Sequence, residues 1–483
     1  MNDAVTREQI VAGLRELCLK AGDIVLLHSS LSSLGRVDGG ARAVKEAFLD
    51  VLGADGTLVV PTFGNLGVIP DEVKTDRRAV ASIHPMASVA AIGAKAEEIC
   101  REHWKALKAH VEDTPYTRIA ELGGYVCLLG VDQDRSTLLH TAEETLELSY
   151  LATTKPVTFD TPEGEVKKSW PFFPGPHRDF IGLDKMLRDS GRMRLGTIGS
   201  AMVRLIRGAD LIELAVAAGR ADPAFVLCDN PNCRDCVSQR AALRRARLAR
   251  ESFSVAAVAS LAGRYVDEMI DNLRAAGIDR VELDFINGRA VQALEGERVI
   301  SAVEQLGAAD IEIAAIRSSA VTDKNLQLIE TAARCKVGRV VLPISTDAEG
   351  FGRAGRERAV AVSFVNTDMD SARVSQILLD LRAAEVEAGF VFNAANFARV
   401  GENPFLGSYK AKLRRFVDQL DVGDAVNDGP ATPLAGGHAE IKEMVSILRA
   451  AGFDGYMTLS GDNRRVGTLL DAAKRFEHLL DTM

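Results

Sequence analysis

The residues with the clearest chemistry lie just after a short apolar run at 124–131. His140 and Glu143 are three positions apart, so on a helix they share a face and the carboxylate can orient and polarise the imidazole. A neutral histidine with an ordinary pKa of about 6.5 suits a general base at neutral pH. Asp134 and Thr137 lie one or two turns upstream, within reach of the same pair. Read alone, the pattern also fits a capped helix with a polar face. A second stretch points to anion binding. The run 23–28 reads as a buried strand, Ser29-Ser30-Leu31-Ser32-Ser33-Leu34-Gly35 follows as a small polar loop, and Asp38-Gly39-Gly40 leads into a helix over 41–52. That order gathers free backbone N–H groups and a helix dipole, and serine hydroxyls add donors. A phosphopantetheine or a pyrophosphate would suit such a cradle, though a plain serine-rich turn has the same composition.

These residues need a sheet to hold them. Strands are expected at 23–28, 56–60 and 124–131; the second runs into Pro61-Thr62-Phe63, and a segment at 82–93 contains His84 and Ser88. Cys127 and Cys100 are conceivable acyl carriers, but Cys127 falls in an apolar strand and is expected to be a buried, inert thiol. Cys228-x4-Cys233-x2-Cys236 places three thiols within nine residues. A fourth ligand is not evident, so reduced cysteines, and no metal, are the expectation.

The chain changes texture near residue 238. An arginine-rich helix is expected over 239–250, with Arg240, Arg244, Arg245, Arg247 and Arg250, either as a connector or as the last helix of the first domain. Beyond it a unit repeats: LRAAG, LRAAE and LRAAG at 273–277, 381–385 and 448–452 each lead into a short apolar strand. Eight strands can be placed, near 254–259, 280–284, 311–316, 339–344, 359–365, 389–393, 420–425 and 455–459. Eight βα units in this length fit a (β/α)8 barrel, and a doubly wound open sheet is the competing fold. The segment 346–358 looks too polar and glycine-rich for a full helix. The expected layout is thus a first domain over 1–238, a linker over 239–252 and a barrel over 253–483.

With 483 residues, 47% hydrophobic and 26% charged, the chain suits two or three globular domains. No run of 18 apolar residues exists, so no membrane span is expected. The opening Met1-Asn2-Asp3-Ala4 lacks a signal-peptide pattern, and seven cysteines make no disulfide framework, so a cytoplasmic location is expected. The net charge of −9 argues against nucleic acid as a partner and is compatible with a cationic substrate.

The blocks HSSLSSLG at 28–35, VDGG at 37–40, GTLVVPTF at 56–63, His84-Pro-x-x-Ser88, LGVD at 129–132 with Thr137-x-x-His140-x-x-Glu143, and GTIG at 196–199 resemble the aminoglycoside 3-N-acetyltransferase family, over about Thr6 to Ser238. The resemblance implies the α/β/α fold of that family and acetyl transfer from acetyl-CoA to an amine of an aminoglycoside or a related amino sugar. It implies that Ser29, Ser30, Leu31, Ser32, Ser33 and Gly35 line the coenzyme site, with Thr62 and Ser88 nearby. His140 would be the base, with Glu143 as its partner or as a contact for a cationic substrate. His28 would reach the same pocket or be a core histidine. Thr137 or backbone N–H groups would meet the oxyanion. Glu143, Glu144 and Glu147 favour a cationic acceptor. The segment between Phe63 and His84, expected at the acceptor site, is shorter than is usual for aminoglycoside-modifying members.

The second half resembles xylose-isomerase-like sugar-phosphate isomerases and epimerases, through Ala276-Gly277-Ile278-Asp279, Ala394-Ala395-Asn396-Phe397 and Gly401-Glu402-Asn403-Pro404. Members of that family usually hold a divalent cation. Here the corresponding strand ends read Asn366, Asn393, Ala425 and Ser460, a poor donor set, with Asp368, Asp428 and His438 as spare ligands. A metal-free barrel is expected, with Asn366, Asn393, Asn396 and Asp428 available to bind sugar hydroxyls, or a barrel that serves only packing or oligomerisation. A homo-oligomer is compatible with the sequence. Two overall readings stand: a transferase with an accessory barrel, and a bifunctional biosynthetic protein whose barrel is an isomerase or sugar-binding module.

Overall fold

The structure, a computed structural model, describes residues 4–173, 178–461 and 463–483. It divides into two compact units, Met1–Arg240 and Ala241–Met483. The division falls inside a helix, Arg234–Leu248, which starts before the expected 239 and buries Cys236 in its first turn. Among the described residues no helix is long and apolar enough to cross a membrane.

The first unit is built on a seven-stranded mixed sheet. Its order is Met193–Ile198, Ala201–Arg207, Tyr125–Leu129, Ile24–Ser29, Thr57–Pro61, Val89–Gly93 and Val80–Ala81. The three central strands, Tyr125–Leu129, Ile24–Ser29 and Thr57–Pro61, are parallel, and their outer neighbours are antiparallel to them. Alternation along Ile24–Ser29 sends Val25 and Leu27 into the core formed with Ile10, Leu14, Val44 and Phe48 of helices Arg7–Glu16 and Gly40–Leu52. Leu26 and His28 therefore face the opposite side, where helices Pro115–Glu121, His140–Thr145 and Gly208–Ala221 pack on one another. From Ile24–Ser29 the chain crosses to Thr57–Pro61 on one side and later returns to Tyr125–Leu129 on the other. The carboxyl ends of Ile24–Ser29 and Tyr125–Leu129 thus meet at a topological switch point, where open α/β sheets bind ligands.

The second unit is a closed barrel of eight parallel strands in chain order: Ser254–Val258, Arg280–Leu283, Glu312–Arg317, Arg339–Pro343, Ala361–Val365, Gly389–Asn393, Val417–Val422 and Tyr456–Leu459. The last pairs with the first, which excludes the open sheet. Two expectations need correction. The seventh strand begins at Val417 rather than 420, because Gln419 and Asp421 point inward into a polar network and break the apolar signature; Ala425 lies in a separate two-residue pairing. The segment after the fourth strand is a full helix, Ala348–Glu357. Its glycines permit close packing, since a Cβ at Gly352 would lie 2.4 Å from Val386 and one at Gly355 would lie 2.4 Å from Val362.

Inside the barrel Ala315, Val341, Val365 and Val391 form an apolar layer. Beside it the Arg317 guanidinium bonds Glu282 at 2.8 Å and Asp421 at 2.9 Å. Gln419 and Thr458 donate to Glu282 at 2.7 and 3.0 Å, and Asn393 donates to Asp421 at 2.9 Å. Burial alone would lower the Arg317 pKa, but the facing charges of Asp421 and Glu282 outweigh it and raise it.

Candidate active site

His140 opens the short helix His140–Thr145, so its Glu143 is one turn on, and His140 Nδ1 lies 2.7 Å from Glu143 Oε2. The other carboxylate oxygen, Oε1, accepts from the Tyr150 hydroxyl at 2.6 Å and from Arg178 Nε at 2.9 Å. Glu143 is fully buried, which pushes its carboxyl up, but His140, Arg178 and Tyr150 more than offset this and hold it below its ordinary value. Facing that carboxylate, Nδ1 is the protonated nitrogen of a neutral imidazole, and Nε2 keeps its lone pair. Burial lowers the His140 pKa against the raising effect of Glu143. The ring stacks on Phe173 at 3.8 Å and meets the edge of Phe180 at 5.7 Å.

Thr137 is brought into the same group: its Oγ1 lies 3.2 Å from His28 Nε2. His28 is buried, and burial with the nearby His140 pushes its pKa down to about 3, so it is a neutral member of the cluster. Asp134 is not brought in; its carboxylate is exposed and lies 3.5 Å from Arg135. Glu144 and Glu147 are not free to meet a cation. Glu144 accepts from the His110 backbone and ring, each at 2.8 Å, and Glu147 pairs with Lys108 at 2.7 Å. The sequence reading missed Tyr150, Arg178, Phe173 and His110. They approach from other segments, and only their clustering in the fold connects them to His140.

The serine loop forms a chain of its own. Ser33 Oγ donates to the Gly130 carbonyl at 2.9 Å and lies 2.9 Å from Ser30 Oγ, which in turn lies 3.1 Å from Ser32 Oγ. Ser29 Oγ is buried and has no partner among the described residues. A cavity of about 610 Å³ is lined by Ser29, Ser30, Leu31, Ser32 and Gly35 and by Leu66 to Ile69. The segment after Phe63 thus lies against the serine loop. Thr62 and Ser88 hydrogen-bond each other at 3.0 Å and do not line this cavity, nor do His28 and Ser33. Cys127 and Cys100 are buried, and burial raises each thiol to about 12, which suits inert packing.

The aminoglycoside 3-N-acetyltransferase profile matches residues 26–66 and 63–218. The chain is 34% identical over 194 residues to aminoglycoside N(3)-acetyltransferase IX of Micromonospora chalcea, spanning 33% of this chain and 67% of that protein. The chain belongs to the aminoglycoside 3-N-acetyltransferase family. It is an acyltransferase. Another member, aminoglycoside N(3)-acetyltransferase VIII of Streptomyces fradiae, is 29% identical over 261 residues, spanning 44% of this chain and 91% of that protein. A solved structure of AAC-IIIb with CoASH aligns at 26% identity and a TM-score of 0.41, covering 44% of this chain and 96% of that one. These matches concern the acetyltransferase unit.

A second cavity, of about 840 Å³, opens at the carboxyl ends of the barrel strands, lined among others by Ser260, Asp284, Arg317, Asn393, Asn396 and Ser460. Asn393 and Asn396 reach it. Asn366 instead locks onto the Asn393 backbone, accepting from its N–H at 2.8 Å and donating to its carbonyl at 3.0 Å. Asp428 lies exposed in a loop, and neither it nor Asn366 lines the cavity.

Proposed function

We propose that the first unit transfers the acetyl group of acetyl-CoA to an amino group of an aminoglycoside or related amino sugar, by direct attack of the amine with His140 as general base. The observation that supports this best is the bond from His140 Nδ1 to a carboxylate braced by two further donors, which leaves Nε2 as the acceptor of a proton. As the amine nitrogen bonds to the thioester carbonyl carbon, His140 Nε2 takes the proton the nitrogen sheds. The carbon–sulfur bond then breaks, and that proton can pass to the departing sulfur. Such base catalysis contributes about 10²–10⁴-fold. The serine loop, with its unpartnered Ser29 hydroxyl beside a cavity at a helix-flanked switch point, fits the polar arm of a coenzyme. In this reading Thr137, whose hydroxyl lies 3.2 Å from His28 Nε2, donates to the developing oxyanion. The test is thiol release from acetyl-CoA with a panel of aminoglycosides and amino sugars, wild type beside His140→Ala. Turnover that is lost in the variant supports the reading; equal turnover removes His140 from its role.

A second reading, a biosynthetic pathway amine as acceptor with a ligand-binding barrel, draws on the cavity at the barrel mouth. In this reading the barrel works without a divalent cation. The carboxylates Glu282 and Asp421 already have Arg317 as counter-ion, Asn366 is tied to the backbone, and His438 Nδ1 accepts from the Asn427 N–H at 3.2 Å. Activity on a small amino sugar but on no aminoglycoside would favour this reading.

A further inference from the structure

The segment between helices Gly208–Ala221 and Arg234–Leu248 carries chemistry that acetyl transfer does not use. The Sγ atoms of Cys228, Cys233 and Cys236 all lie within 4.8 Å of one another, although the three residues span nine positions. All three are thiols rather than disulfides. In a tetrahedral zinc site, zinc–sulfur bonds of about 2.3 Å place neighbouring sulfurs about 3.8 Å apart, so the three need to close by about one ångström.

The local fold builds this approach. Asn230 turns the chain, its carbonyl accepting from the Cys233 N–H at 3.0 Å and its side chain from the Asn232 N–H at 3.0 Å. Cys233 then precedes the first turn of Arg234–Leu248, and Cys236 lies within it. Helix N-termini favour thiolate over thiol. The Cys228 N–H points at Cys236 Sγ from 3.3 Å. Cys236 is fully buried. A cation held by all three would offset that burial.

We propose that Cys228, Cys233 and Cys236 form three corners of a tetrahedral zinc site, with the fourth donor coming from outside the three thiols. Soft thiolates select zinc over magnesium or calcium, and binding releases the thiol protons. The site is structural. Val226, two residues before Cys228, accepts from the Asp179 N–H at 2.8 Å, next to Arg178. Arg178 and Tyr150 are the two donors that hold Glu143 Oε1, so a cation here fastens the support behind His140. This last step rests on the proposed role of His140; the metal site does not.

The test uses the full chain, expressed with zinc and purified in reductant without chelator. Elemental analysis should find about one zinc per chain. Replacement by cobalt should give the strong thiolate-to-cobalt charge-transfer absorption of a sulfur-rich tetrahedral site. Cys233→Ser should lower metal content several-fold, and Cys18→Ser and Cys335→Ser should leave it unchanged. A folded wild-type chain without zinc and without the cobalt absorption, whose three thiols alkylate as fast with zinc as without, would overturn the proposal. Because Cys236→Ser can fail to fold, the wild-type cobalt spectrum decides by itself. Failure of the acetyl-transfer reading would show separately, as no thiol release from acetyl-CoA by a zinc-loaded chain.

Discussion

Tyr150 donates its hydroxyl hydrogen to Glu143 Oε1 at 2.6 Å, on the side of the carboxylate away from His140. The bond makes Glu143 a fixed acceptor for the Nδ1 hydrogen rather than a carboxylate free to turn. Tyr150→Phe should keep the fold and lower kcat/KM about tenfold, the scale of one hydrogen bond to a charged group. The KM for acetyl-CoA should stay unchanged. Steady-state kinetics with both substrates checks this; an unaltered kcat would mean that Arg178 alone suffices.

The rate should also depend on pH in a defined direction. Burial holds the His140 pKa below 6.5, so the imidazole is neutral at pH 7 and, with His140 as the proposed base, the acid limb of kcat/KM should lie below 6.5. Glu143 raises the His140 pKa, and Glu143→Gln removes that influence. The variant should be slower at neutral pH, because its amide no longer fixes the imidazole, yet its acid limb should move to still lower pH. A limb that moved upward would contradict the assignment.

Ser33 braces the serine loop from outside the cavity that the loop lines. Ser33→Ala removes two hydrogen bonds, to Ser30 Oγ and to the Gly130 carbonyl. At about 0.5–1.5 kcal/mol each, their loss should raise the acetyl-CoA KM about tenfold with little change in saturating kcat. Calorimetric titration of coenzyme A against both proteins gives the same comparison without turnover.

Much of this was legible in the sequence. The strand–serine loop–helix order follows from an apolar run, small polar residues and the Gly39-Gly40 turn, all local features. The His140–Glu143 pair follows from helical spacing. Asp134 shares that spacing yet lies outside the site, because the short helical turn at 133–135 exposes it beside Arg135. Tyr150 and Arg178 were invisible because nothing in their own neighbourhoods marks them. The same holds in the barrel, where Arg317, Glu282 and Asp421 come from three strands and read one at a time as ordinary charges.

Those three charges carry a stability prediction. Arg317→Met leaves Glu282 and Asp421 buried without a counter-ion, and should destabilise the barrel by about 3–5 kcal/mol. Replacing all three by neutral residues of similar shape should recover most of that loss. Denaturant unfolding of the full chain, followed by a probe in the barrel, distinguishes the two variants. A single substitution as mild as the triple one would mean that water or another group neutralises the pair.

The bond from Ser33 Oγ to the Gly130 carbonyl joins the loop after one strand to the loop that leads into the His140 helix. Anything that orders the first loop therefore also orders the approach to the second. Linkage makes such an effect mutual: whatever factor the donor adds to the affinity for the acceptor, the acceptor must return to the donor. The expected signature is synergistic binding, with each ligand tightening the other by the same ratio, and with that ratio falling toward one once the Ser33 hydroxyl is gone.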